Sequence, residues 1–433
     1  MDTTPRPDAG RGPTSAARIA TALRGEVALV RLALGAVALH VVDDNYLQPE
    51  PGTSAGDHLA SGLVPFGVLA LVALVYPRLR AGLRAATAMT FGAIGIAVGV
   101  PGAYYLVDGS ASGDHYTGLL ALAGGALLLV SGPVTLWKAR RPGGSRRRRY
   151  LRRSLTALAA VPLALVVLAL FVFPVGFAYV YTHTGRTTTT PDLGPAGESV
   201  TVTTSDSLEL AAWYVPSQNG AAIVVFPGAT RAEEARMLAR HGYGVLLLES
   251  RGQGASEGDI VRWAGDRDLL AGAAFLQGRP DVDPSRIGAI GFSIGGEILL
   301  ETAAQSTAFA AIVSDGAGER VGEADASGAE RILAVPMQAM ITAATTVFSN
   351  HGPPPPIVER IGRIAPRPVF LVYAEHGIGG EETRQPKYYA AAGEPKAIWR
   401  VPGAKHTGGI EARPAEYERR VVGFFDGALL AAE

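Results

Sequence analysis

Four uninterrupted apolar stretches dominate the first 181 residues, at approximately Leu59–Tyr76, Ala85–Val107, Thr117–Trp137 and Leu155–Tyr181. Each is close to or above the about 20 apolar residues that a helix needs to cross a bilayer. None shows the amphipathic period of a helix packed on a soluble core. An earlier stretch, Val27–Val42, is shorter and carries Arg31 and His40. It reaches across only if Arg24 and Glu26 mark a snorkelling end. Residues 25–181 are therefore predicted to hold four or five membrane spans.

Loop charge gives the spans a direction. Arg6, Arg11, Arg18 and Arg24 precede the first, whereas Asp43–His58 carries Asp43, Asp44, Glu50 and Asp57 without a Lys or Arg. Pro77–Arg84 is basic, Asp108–Tyr116 is acidic, and Lys138–Arg153 contains the consecutive arginines Arg146–Arg149. This alternation follows the positive-inside rule. It predicts a cytoplasmic tail over residues 1–24 and places the chain after Tyr181 outside the cytoplasm. The N-terminus is too polar and proline-rich for a cleavable signal peptide. The arginine run lies between two spans and reads as juxtamembrane. A formal net charge of zero argues against a nucleic-acid partner. The expected partner is the lipid bilayer, and nothing here sets an oligomeric state. Absence of cysteine excludes disulfides, thiolate metal sites and a cysteine nucleophile.

Residues 182–197, rich in Thr, Pro and Gly, read as a linker. From Glu198 the pattern changes to short strands alternating with helices. A hairpin turning at Ser205–Ser207 comes first, followed by apolar strands at Ala221–Gly228, Gly244–Leu248 and Arg286–Phe292. Three further strands are read at Ala310–Gly316, Arg367–Ala374 and Ala397–Gly403, and a helix over Glu416–Leu430 closes the chain. Continuous apolar strands alternating with helices predict an α/β fold, a mostly parallel sheet covered on both faces. In such sheets, ligands bind at the carboxyl ends of the strands.

Gly291-Phe292-Ser293-Ile294-Gly295 matches G-x-S-x-G, a tight strand-to-helix turn that exposes a serine nucleophile. Gly52–Gly56 fits the same pattern, but no strand precedes it and no helix follows. Ser293 follows a strand and opens a helix, and context separates the two.

The order of parts over residues 198–433 resembles the α/β-hydrolase superfamily; the membrane half takes no part in the resemblance. Phe226-Pro227-Gly228-Ala229 stands where that family has His-Gly before an oxyanion-hole amide. By position, the resemblance implies the backbone N–H groups of Ala229 and Ile294 as oxyanion donors. Glu249–Gly258 resembles the D-x-R-G-x-G-x-S-x-G loop, with Glu for Asp, and is implied to support the site. Pro402-Gly403-Ala404-Lys405-His406 resembles P-G-A-x-H and implies His406 as general base. The acid is expected after the strand ending at Ala374, in a loop that offers no Asp. Glu381 is the first choice there, then Glu382 and Glu375. Asp315, at the preceding strand end, is the candidate outside that loop.

The segment about 317–363 is an insertion, apolar over Ile332–Ala344, and the resemblance implies a lid. No metal-ligand spacing or P-loop occurs, so neither metal nor cofactor is expected. The resulting expectation is a membrane-anchored serine hydrolase acting on a carboxylic ester or lipid-like acyl substrate. A peptidase, a thioesterase and a non-catalytic sensor or binding protein stay open, because the fold does not fix the bond cleaved.

Overall fold

The computed structural model describes residues 15–139, 147, 158, 160–184, 189–261, 263–318, 328–378 and 380–431. Residues 1–14 of the predicted tail lie outside these. So do most of the Lys138–Arg153 loop, the start of the last predicted span, residues 185–188 of the linker and residues 319–327 of the insertion. The chain divides into two units, Met1–Gln48 with Leu59–Val180, and Pro49–His58 with Tyr181–Glu433.

The first unit is helical: α1 (Ser15–Val42), α2 (Leu59–Val75), α3 (Ala81–Asp108), α4 (His115–Lys138) and α5 (Ala160–His183), whose last residues, Tyr181–His183, belong to the second unit. Each of these helices is long and apolar enough to cross a membrane. The first stretch is longer than the sequence suggested. α1 runs on through a π-turn at Asp43–Leu47, so the apolar region covers Gly25–Leu47, 23 residues. Arg31 gives its Nε–H to the Ala73 carbonyl at 3.1 Å. α3 and α4 meet along glycines. A Cβ on Gly99 would lie 2.6 Å from the Leu122 backbone N, and one on Gly125 would lie 2.5 Å from the Ile96 N. Such contact lets dispersion hold helices together where apolar burial offers little drive.

The second unit is built on one eight-stranded sheet, ordered β1-β2-β4-β3-β5-β6-β7-β8. The strands are β1 (Glu198–Thr203), β2 (Glu209–Val215), β3 (Ala222–Phe226), β4 (Gly244–Leu248), β5 (Ile287–Phe292), β6 (Ala311–Asp315), β7 (Val369–His376) and β8 (Lys396–Lys405). β2 pairs antiparallel with β1 and β4; every other pairing is parallel. This is the α/β-hydrolase arrangement.

The helices are α6 (Ala232–Arg240), α7 (Asp266–Gln277), α8 (Ile294–Gln305), α9 (Arg331–Ser349), α10 (Glu381–Ala391) and α11 (Pro414–Phe425). β3 shows why its sequence is apolar throughout. Val224 faces a core shared with α7, α8 and α10, while Ile223 and Val225 face one shared with α6 and α11. Both faces are dry, so no position can alternate to polar.

An ion cluster centred on buried Arg251 fixes the Glu249–Gly258 loop. Arg251 donates through Nη2 and Nε to Asp268 Oδ1 at 2.7 and 2.8 Å, and through Nη1 to Asp206 Oδ2 at 2.9 Å. Asp268 is fully buried and also accepts the Arg251 backbone N–H. Arg251→Met should therefore strand a buried carboxylate and cost about 3–5 kcal/mol. A clear fall in the thermal unfolding midpoint of the full chain, larger than that of Asp206→Asn, is the expected readout.

Candidate active site

β5 ends at Phe292 and α8 begins at Ile294, which leaves one residue for the turn. That residue, Ser293, takes φ +53° and ψ −123°, a backbone region that side chains rarely occupy. The flanking glycines are sterically required. A Cβ on Gly291 would sit 2.5 Å from the Gly295 carbonyl oxygen, and one on Gly295 would sit 2.5 Å from that of Phe226. The Ser293 N–H donates to the Asp315 carbonyl at 2.8 Å, which ties the turn to β6. By contrast, Ser54 of the other G-x-S-x-G match donates to Asp57 in a local turn.

His406 follows β8. Its Nε2 lies 2.8 Å from Ser293 Oγ, and its Nδ1 lies 2.8 Å from Glu381 Oε1. Glu381 is fully buried and opens α10, where helix amides and the dipole favour an acceptor. Its Oε1 accepts the Ile378 N–H at 3.0 Å and its Oε2 the Ala374 N–H at 3.4 Å. A carboxylate at Nδ1 selects the tautomer whose Nε2 can accept the serine proton.

The other acids are engaged elsewhere. Glu382 accepts the Gly377 N–H at 3.1 Å. Glu375 accepts the Gly403 N–H at 2.7 Å, which holds its carboxyl below the ordinary range, and pairs with Arg400 at 3.3 Å. Asp315 is buried and accepts the Tyr417 hydroxyl at 2.7 Å.

Ala229, expected as an oxyanion donor, already has an acceptor. Its N–H donates to Glu249 Oε2 at 2.9 Å, so in this state the amide is occupied by a carboxylate. Glu249 stands where the resembled loop has the shorter Asp, and its carboxylate meets the turn after β3. Burial pushes the Glu249 carboxyl up. Ile294 is the first residue of α8, and the first amides of a helix have no intrahelical acceptor.

Arg231 was not legible in the sequence, since nothing but its place after Ala229 marks it. Its Nη2 donates to Thr407 Oγ1 at 2.8 Å, and its guanidinium lies 4.2 Å from the Phe292 ring centroid. It also pairs with buried Glu234 at 3.3 Å. One side chain thus spans the turn after β3, the residue before Ser293 and the residue after His406. Among the described residues, no cluster of His, Asp or Glu is arranged to hold a metal ion.

Residues 179–351 match the X-Pro dipeptidyl-peptidase (S15) family. An uncharacterised protein of Mycobacterium tuberculosis is 31% identical over 220 residues, which cover 49% of this chain and 73% of that protein. The uncharacterised protein YfhR of Escherichia coli is 25% identical over 256 residues, covering 54% and 82%. Among solved structures, an esterase of Pyrococcus furiosus superposes with a TM-score of 0.45 at 22% identity, covering 57% of this chain and 100% of that one.

Asp315 provides a pH test. Burial pushes its carboxyl up from 3.8 to about 7. The folded value lies above the unfolded one, so its contribution to stability is complete below 3.8 and is lost as pH rises through about 7. Asn can accept the Tyr417 hydroxyl without ionising. Asp315→Asn should therefore gain stability relative to the parent between pH 5 and pH 8, read as the change in the difference between their unfolding midpoints. An identical difference at both pH values would refute the assignment.

Proposed function

Because this chain belongs to the α/β-hydrolase superfamily, in one family with its mycobacterial relative, we propose that it is a membrane-anchored serine hydrolase. Ser293 is its nucleophile, His406 its general base and Glu381 its acid. The observation that carries this reading is the continuous Glu381–His406–Ser293 chain, with 2.8 Å at each contact.

In the proposed reaction, His406 Nε2 takes the Ser293 proton as Oγ attacks the acyl carbon. The carbonyl oxygen becomes an oxyanion, received by the Ile294 N–H and by the Ala229 N–H once Glu249 lets it go. The intermediate collapses as His406 returns the proton to the leaving group. Water, deprotonated by His406, then attacks the acyl-enzyme and releases the acid. Glu381 keeps the imidazole oriented and stabilises its charged form throughout.

A carboxylic ester or lipid-like acyl compound is the proposed substrate, supported by the apolar insertion and by a chain rich in span-like helices. A second reading, cleavage of a peptide bond after proline, is favoured by the S15 match. That match ends at residue 351, before Glu381 and His406. Rates on model esters of increasing chain length, set against an X-Pro anilide, separate the two. Helices α1–α5 are proposed as spans, with the N-terminus cytoplasmic and the hydrolase domain outside. A reporter active only in the cytoplasm, fused after His183, should be silent.

Ser293→Ala should abolish labelling by a fluorophosphonate and hydrolysis together. Retention of more than about one per cent of the activity would remove Ser293 as nucleophile. Glu381→Gln should lower kcat by at least about 10² with little change in substrate binding, because it withdraws the group that orients His406. Asp315→Asn, already committed to Tyr417, should cost far less. A reversed order would move the acid to β6.

A further inference from the structure

The stretch Gly328–Ser349, which contains α9, is as long and apolar as a membrane span. It cannot be one. β6 leads into it and β7 follows it, and these strands pair in parallel, Ser314 with Leu371 and Asp315 with Val372. A crossing helix would put β7, β8, Glu381 and His406 on the opposite side of the bilayer from Ser293. The 2.8 Å contact between His406 and Ser293 forbids that. A helix this apolar with both ends on one sheet has to lie along a surface.

Two observations indicate which surface. The first half of α9 presents its apolar residues outward: Ile332 is 75% exposed, Leu333 48% and Val335 45%. Burial begins only in the second half, at Ala344, Thr345 and Ser349. At that second end, the Phe348 ring meets the His183 ring edge-on, with centroids 6.3 Å apart. His183 is the last residue of α5. Within the second unit, the buried end of α9 thus touches His183, at which α5 ends, and among the described residues the exposed end is the part with its apolar side chains uncovered.

We propose that the first half of α9 inserts into the headgroup–acyl boundary of the bilayer on the side of the hydrolase domain, with lipid as its partner. This rests on the reading that α1–α5 span the membrane. It goes beyond that reading by giving the catalytic unit its own contact with lipid. Ile332, Leu333 and Val335 enter the acyl region, as in helices that lie in the interface plane. Exposed Arg331 reaches back to the phosphates.

The full chain holds no cysteine, so single replacements can be labelled specifically. Leu333→Cys, Leu163→Cys in α5 and Ser285→Cys before β5 are each labelled with an environment-sensitive fluorophore. The proteins are reconstituted in phosphatidylcholine vesicles that carry nitroxide lipids. Proteins are compared only where their unfolding midpoints match the parent, and Val335→Cys substitutes for Leu333→Cys if that midpoint falls. The expected result is lipid quenching at 333 several-fold above that at 285 and close to that at 163, unchanged when the protein is diluted in lipid. A label at 333 quenched instead by aqueous iodide, as at 285, overturns the proposal. So does a label shielded from both quenchers, which would mean that a second copy or the chain itself covers α9. If 333 fails while 163 is quenched, only the α9 contact falls. If 163 is also unquenched, the spanning reading falls with it.

Discussion

The site depends on one strained turn. Ser293 must leave β5 and enter α8 within a single residue, and only a positive φ does so. The strain is held by close packing of backbone on backbone, Gly291 on Gly295 and Gly295 on Phe226, and by the Ser293 N–H on the Asp315 carbonyl. Loosening any of these contacts would let the serine relax into ordinary helix, with its hydroxyl turned away from His406. The pairing of β5 with β3 and β6 thus does chemical work. It brings three strand ends to one edge and fixes the turn between them.

Behind that edge, the protein separates two buried carboxylates by what each one touches. Glu381 is surrounded by donors, His406 Nδ1 and two backbone amides. Asp315 has the Tyr417 hydroxyl as its side-chain donor, and burial pushes its carboxyl up. The first environment holds an acceptor against the imidazole, and the second disfavours the charged form. Arg231 then couples the surrounding loops, because it binds Thr407, stacks on Phe292 and pairs with Glu234 at once.

The fold was legible because its signals are local: dry strands read as continuous apolar runs, and the hairpin turn is written in Ser205–Ser207. The turn at Ser293 and the loop at His406 could be singled out for a related reason, since glycine spacing and position after a strand are sequence properties. The proposed acid could be ranked first but not isolated, because four carboxylates fit by position and only three-dimensional distance puts Glu381, rather than Glu375, Glu382 or Asp315, against His406. The length of α1 was missed at Asp43, where two acids end the apolar run although the helix continues as a π-turn. Arg231 carries no local signal, as Thr407, its main partner, lies 176 residues away.

The Glu249–Ala229 contact shows how a substitution in a supporting loop reaches the chemistry. In this arrangement the loop does more than hold Arg251 in its ion cluster; it also sends a carboxylate onto an amide that the proposed reaction needs. An ionised Glu249 there would repel a developing oxyanion while occupying its donor. Burial works against that outcome, because it raises the Glu249 carboxyl and favours the neutral, more weakly accepting form. A neutral carboxyl gives up an N–H more readily than an anion does, since hydrogen bonds to charged acceptors are the stronger ones. The desolvation that raises the Glu249 carboxyl thus works against the strongest form of the contact that the proposed reaction has to break.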